Sequence, residues 1–284
     1  MQVNILTFDV EDWFHILDHR EVENPASWMQ YPSRVVENTH RILELLDSRS
    51  QKATFFCLGW IAERHPVLIR EIVNQGHELG SHSFFHQLAY KQNRDDFRND
   101  LLRSISTLED ISGQKIVAYR APGFSVTRST PWVFDELIEA GIKYDCSIFP
   151  AQRAHGGFQG VPATPFILER NGGEIKAFPM NTFRVLGRDI VFSGGGYFRL
   201  LNYQLIRLMM LRSNYVMTYF HPRDFDASQP MIPELGAIRR FKSYTGLKGA
   251  LSKLDRLLGE FQFLELKSAD SQLVAEQMTR IKIR

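Results

Sequence analysis

Short runs of β-branched and aromatic residues alternate with runs of helical period along most of this chain, and that alternation limits its fold more than any other feature. Residues 3–8, 53–57, 77–81, 116–119, 144–149, 175–178, 215–220 and 261–266 read as strands. Residues 34–46, 61–73, 95–111, 131–141, 202–212 and 247–258 read as helices. Repeated βα units predict an α/β fold, a mostly parallel sheet with helices outside it. Seven or eight strands in about 260 residues favour closure into a distorted (β/α) barrel over an open sheet. The aperiodic, Gly- and Pro-containing stretch 151–173 is expected to be a long loop over the barrel mouth, and the chain after about residue 226 a C-terminal extension. Residues 1–284 are read as a single domain.

In a parallel barrel the C-terminal strand ends converge on one face, where active sites are assembled. The polar residues that stand out here fall at those ends: Asp9, Glu11 and Asp12 after the first strand, His82 and His86 after the third, Arg120 after the fourth, Asp145 at the fifth and His221 after a late one. His82 and His86, four apart, are expected on one face of a helical turn, where they could share a metal ion. Three carboxylates within four residues repel one another unless a cation neutralises them, so one is read as a ligand and another as a general base. Continued strand alternation would put Glu11 on the face of Asp9, whereas a turn right after Asp9 would favour Asp12 as the ligand. Arg120 can orient a carboxylate and hold it ionised. His221 suits a general acid, and Asp145 could orient Arg120 or His221. Pro122 and Gly123, in the turn behind Arg120, are candidate substrate contacts. So are Tyr197 and Arg199, carried by a glycine-rich loop (Gly194-Gly195-Gly196) that lacks the lysine and spacing of a phosphate loop. Imidazoles with a carboxylate suit one divalent ion, zinc first, with cobalt, nickel or iron as the others the donors accept.

Lys and Arg total 34 against 32 for Asp and Glu, a formal charge of +2 that argues against a nucleic-acid partner. Cys57 and Cys146 sit in apolar runs and read as buried free thiols. No apolar stretch approaches the length of a membrane span and no leader-like segment precedes the first strand, so a cytoplasmic location is expected.

From about Asn4 to Asp226 the pattern resembles the NodB-homology polysaccharide deacetylases, carbohydrate esterase family 4. Thr7-Phe8-Asp9 resembles the family's first motif and Gly76 through His86 its second. Arg120-Ala121-Pro122 is similar to the third, Tyr144-Asp145-Cys146-Ser147 to the fourth, and Phe220-His221-Pro222 to the fifth. The resemblance implies a NodB-like barrel with Asp9 as catalytic base, Arg120 as its orienting partner, His82 and His86 as metal ligands and His221 as acid. The usual adjacent aspartate pair is absent, since Val10 follows Asp9; this resembles the subgroup of peptidoglycan-deacetylase-like and allantoinase-like members. Residues 192–199 and 220–226 are similar to deacetylases of exopolysaccharide and O-antigen assembly. The implied reaction is metal-dependent hydrolysis of the N-acetyl group of an amino sugar, in a glycan or its lipid- or nucleotide-linked precursor. The alternatives are a small-molecule amide or cyclic-imide hydrolase, or a catalytically silent glycan-binding protein.

Overall fold

The computed structural model describes residues 2–17, 19–151, 155–171, 173–185, 188–232 and 235–283. Its strands are β1 (Val3–Ile5), β2 (Thr7–Val10), β3 (Thr54–Cys57), β4 (Glu78–Ser81), β5 (Ala118–Tyr119), β6 (Tyr144–Asp145), β7 (Phe166–Arg170), β8 (Gly173–Ala177), β9 (Phe183–Val185), β10 (Arg188–Ile190), β11 (Tyr215–Met217) and β12 (Thr279–Lys282). Its α-helices are α1 (Arg20–Glu23), α2 (Val35–Ser48), α3 (Gly59–Arg64), α4 (Pro66–Asn74), α5 (Arg94–Ser112), α6 (Trp132–Glu139), α7 (Gly195–Leu200), α8 (Tyr203–Leu211), α9 (Ala237–Tyr244), α10 (Ala250–Glu260) and α11 (Leu266–Ser271).

The main sheet has the order β12-β7-β8-β6-β5-β4-β3-β2, parallel except where β7 and β8 form a hairpin. Beside β2, the parallel pair β1–β11 continues the curve through a Phe8–Phe220 bridge and a hydrogen bond from Asp9 N to Phe220 O. Toward the β8 end, Asn181 Oδ1 accepts from Met217 N and Ser193 Oγ donates to Met217 O, so side chains span the gap that backbone bonds leave. This is the expected mostly parallel α/β barrel, distorted at one seam.

Three assignments from the sequence need correction. The helix expected over 61–73 is two helices, because Pro66 cannot continue the hydrogen-bond ladder and restarts it as the first residue of α4. Within the stretch read as a loop, 151–173, the structure forms β7, and the remote β12 pairs with it; residues 152–154 and 172 of that stretch lie outside the described residues. Residues 261–266 contribute only a single bridge, Leu264 to Ile5, before α11 begins.

Along β2 the period of two sends Phe8 against Phe55 and Phe225, while Thr7 and Asp9 both meet Arg120 on the opposite face. In register, Asp9 faces Phe56, Phe56 faces Gly80, and Ser81 faces Tyr119, which places the ends of β2 to β5 in one layer. Gly80 is required by close approach: a Cβ there would lie 2.6 Å from the Phe56 ring and 3.1 Å from the Ala118 carbonyl oxygen. Phe56 in turn carries the Arg120 guanidinium, 4.3 Å above its ring. Gly80→Ala should therefore cost about 1–3 kcal/mol of stability by overpacking. Equilibrium denaturation checks this, and an unchanged midpoint would contradict the packing described.

Candidate active site

The first strand leaves the barrel through a tight turn, with Glu11 N donating to Asp9 O at 3.0 Å. The chain thus turns, yet the carboxylate that reaches the histidines is Glu11. Its Oε1 lies 3.0 Å from His82 Nε2 and 2.8 Å from His86 Nε2, with all three side chains buried. Asp12 points elsewhere. Its carboxylate accepts from Ser33 Oγ at 2.5 Å and from the backbone N–H groups of Arg34 and Val35, so it caps α2, whose own N-cap residue supplies no side-chain bond. Asp12 is a helix cap delivered from 22 residues upstream, not a ligand.

His82 and His86 do not sit on a helical turn. Residues 82–86 are irregular, and Ser83 and His86 have φ of 69° and 54°, a conformation that costs non-glycine residues energy unless it is held. Asp100 of α5 holds it by accepting from Phe84 N and Phe85 N, and Ser83 Oγ accepts from His86 N. The twist of this loop, instead of a helical face, brings both Nε2 atoms to Glu11.

The donor set fits a cation. His82 Nδ1 lies 2.7 Å from the Arg120 carbonyl oxygen and must carry its proton there. The neutral ring then turns the lone pair of Nε2 toward a carboxylate oxygen, an opposition relieved only by a second proton or a shared cation. Burial opposes the second proton next door, where desolvation pulls His86 below the ordinary histidine pKa despite the nearby Glu11 charge. Burial by itself would raise the Glu11 pKa, but His86, His221 and His82 outweigh it and hold the carboxyl well below its usual range. Glu11, His82 and His86 could together hold one metal ion.

Arg120, fully buried at the end of β5, donates from one nitrogen to both Asp9 Oδ1 and Thr7 Oγ1 at 2.7 Å and from Nε to the Cys146 carbonyl at 3.3 Å. Asp9 is thereby fixed by an ion pair on one oxygen, while its other oxygen faces His221, with Nε2 at 4.0 Å. His221 Nε2 also lies 3.7 Å from Glu11. The opposite ring nitrogen, Nδ1, is 3.0 Å from Asp224 Oδ2, and Asp224 pairs through Oδ1 with Arg199 Nε at 3.1 Å. Burial pulls the His221 pKa down, but the Glu11 and Asp224 carboxylates outweigh it and raise it above the ordinary value.

Asp224 is thus the residue the sequence reading missed, and Asp145 does not take its place. Asp145 Oδ1 accepts from Ser147 N at 3.2 Å, and Oδ2 meets no donor among the described residues. Burial pushes its carboxyl up to about 7, so this group is a buried neighbour of Arg120 and no partner of His221. Arg199 is not a substrate contact either: besides Asp224 it binds the carbonyls of Lys242, Ser243 and Thr245. Tyr197 is half exposed on α7. Its neighbour Gly194 lies where a Cβ would be 2.1 Å from the Tyr219 carbonyl oxygen, so the glycine run serves the packing of α7 beside the strand that delivers His221. Pro122 is buried and opens a single 3-10 turn. Gly123, with φ of 62°, packs against Leu17 and Leu88. Those two leucines line a cavity of about 190 Å³ together with His15, Trp28, Phe85 and His86. The His15 ring lies 6.0 Å from that of His86, and its Nδ1 accepts from Asp12 N. Cys57 and Cys146 are buried free thiols, as expected.

Residues 5–144 match the polysaccharide deacetylase family and residues 146–270 a domain of unknown function, DUF3473. A peptidoglycan-N-acetylglucosamine deacetylase of Bacillus cereus is 36% identical over 87 residues, 31% of this chain and 32% of that protein. A peptidoglycan deacetylase of Helicobacter pylori is 29% identical over 108 residues, 38% of this chain and 36% of that protein. The chain thus spans about a third of the length of these curated relatives. Among solved structures, a putative polysaccharide deacetylase from Mycobacterium smegmatis superposes with a TM-score of 0.67 at 21% identity, covering 98% of this chain and 92% of that one. A carbohydrate esterase family 4 pseudoenzyme from Bacillus anthracis superposes at 0.52 with 14% identity, covering 99% and 67%. These superpositions place the chain on the same parallel α/β barrel fold. The chain carries, over residues 5–144, a polysaccharide deacetylase domain of the NodB-homology, carbohydrate esterase family 4 type. The strands β7, β8, β11 and β12, which complete the barrel, come from beyond that segment.

If Asp224 raises the His221 pKa as described, Asp224→Asn will lower it. NMR titration of the imidazole in the two proteins checks this, and a pKa that does not fall would show that Asp224 merely contacts the ring.

Proposed function

We propose that this chain hydrolyses the N-acetyl group of an amino sugar, releasing acetate and the free amine. The observation that carries the reading is the placement of two proton-transfer groups around one ligand trio: Asp9 and His221 approach each other at 4.0 Å directly beside Glu11, which faces His82 and His86. A divalent ion held by Glu11, His82 and His86 would supply a Lewis acid for the amide carbonyl and for water; zinc is proposed, with cobalt, nickel or iron as the other ions the donors accept. Asp9, oriented by Arg120, accepts the proton of the attacking water. His221, held by Asp224 at Nδ1, donates from Nε2 to the departing nitrogen. In this reading the cavity of about 190 Å³ beside His86 receives part of the acylated sugar. The proposed substrate is a bacterial surface glycan or its lipid- or nucleotide-linked precursor, met in the cytoplasm. The family's deacetylase relatives and the resemblance of residues 192–199 and 220–226 to exopolysaccharide and O-antigen deacetylases support that class.

The test is acetate release from N-acetylated glucosamine oligomers, with metal content measured before and after chelation. Asp9→Asn and His221→Ala should each lower turnover by about 10²–10⁴-fold with the fold intact. His82→Ala and His86→Ala should lose bound metal as well. Turnover near wild type in Asp9→Asn or His221→Ala would remove those roles. Amide or imide cleavage without acetate release would favour a small-molecule hydrolase, and glycan binding without turnover in metal-replete protein a silent binder.

A further inference from the structure

Helix α9 has no buried residue, which is unusual for a helix with a strongly amphipathic sequence. Ile238 and Phe241, three apart and so on one face, are 75% and 56% exposed, and Met231 just before the helix is 51% exposed. The helix is held by polar contacts instead. Arg199 binds the carbonyls of Lys242 and Ser243 at its C-terminal end, and Arg239 donates to the Leu17 carbonyl. These anchors fix α9 with its apolar side chains directed out of the protein.

In sequence, the charge between Glu234 and Asp255 has one sign. From Leu235 to Leu254 the chain carries Arg239, Arg240, Lys242, Lys248 and Lys253 and no Asp or Glu. Arg239 and Lys253 are used internally, Lys253 on the carbonyls that end α7. Among the described residues Arg240 reaches the Met231 sulfur, and Lys242 follows Phe241 in sequence. The core of a protein interface is depleted of charge, whereas long cations flanking exposed Ile and Phe suit an interfacial helix, whose apolar side chains enter the acyl boundary while its cations meet anionic headgroups. No helix among the described residues is long and apolar enough to cross a membrane, so any lipid contact of this kind is peripheral.

We propose that α9 docks this protein on an anionic lipid surface through Ile238, Phe241 and Met231, with Arg240 and Lys242 as the headgroup contacts. Leu17, to which Arg239 ties the helix, lines the cavity beside His86. Docking therefore brings the mouth of the site to the headgroup layer, where a glycan carried on a lipid would present its sugars.

The experiment is co-sedimentation of the full chain with phosphatidylcholine vesicles, with and without phosphatidylglycerol, at low and high salt. Binding is expected only to the anionic vesicles and is expected to weaken with salt. Ile238→Ser/Phe241→Ser and Arg240→Glu/Lys242→Glu should each weaken it by about tenfold or more. Because these side chains are exposed, unfolding midpoints and acetate release from a soluble oligomer should stay at wild-type values in both variants. No binding to anionic vesicles, or binding that both variants retain, would overturn the proposal. So would a reversible dimer in sedimentation velocity that Ile238→Ser/Phe241→Ser abolishes in a protein without vesicle affinity, since the face would then be a self-association surface.

Discussion

Everything at the mouth of this barrel is arranged around a buried guanidinium. Arg120 has no solvent to neutralise it, and an unpaired charge at such depth would cost several kcal/mol. Its partners come from across the fold: Asp9 and Thr7 from β2, the Cys146 carbonyl after β6, the Met217 sulfur from β11 and the Phe56 ring from β3. The same residue's carbonyl fixes the tautomer of His82. One side chain and its own backbone oxygen thus set the orientation of the carboxylate proposed as base and of one candidate ligand. Gly80 belongs to this arrangement because it lets Phe56 lie flat beneath the guanidinium.

Around that centre the three carboxylates after the first strand take three different positions, and the difference is environmental. Asp9 meets the arginine, Glu11 meets imidazoles, and Asp12 meets the backbone N–H groups that open α2. Each has a different kind of partner, a guanidinium for Asp9, backbone N–H donors for Asp12 and, for Glu11, two imidazoles with which it could share a metal ion, so the three acids within four residues are directed apart. His221 approaches from the other side of the barrel, fixed by Asp224 and, through it, by the Arg199 that also anchors α9. The candidate acid and the exposed helix therefore share a support.

Much of this was legible in the sequence because the barrel places its strand ends in one layer, and Asp9, Glu11, His82, His86, Arg120 and His221 all fall at such ends. What escaped depends on contacts that no local period encodes. The choice between Glu11 and Asp12 rests on a helix start more than twenty residues away that lacks a cap of its own. The path from His82 to His86 is set by Asp100 on α5, not by helical spacing. β12 pairs with β7 across more than a hundred residues, and neither segment alternates cleanly between apolar and polar. Asp224 could have been found: it stands three residues after His221, where its carboxylate accepts both the backbone N–H and the ring nitrogen of that histidine.

The most direct measurement is metal affinity, by titration calorimetry with zinc, for the wild type and for Glu11→Gln, Asp9→Asn and Asp12→Asn. Glu11→Gln should abolish binding or weaken it strongly, Asp9→Asn should leave one ion per chain, and Asp12→Asn should keep the ion while lowering thermal stability. Binding retained by Glu11→Gln but lost in Asp9→Asn or Asp12→Asn would contradict the division of the three carboxylates on which the whole reading of the site rests.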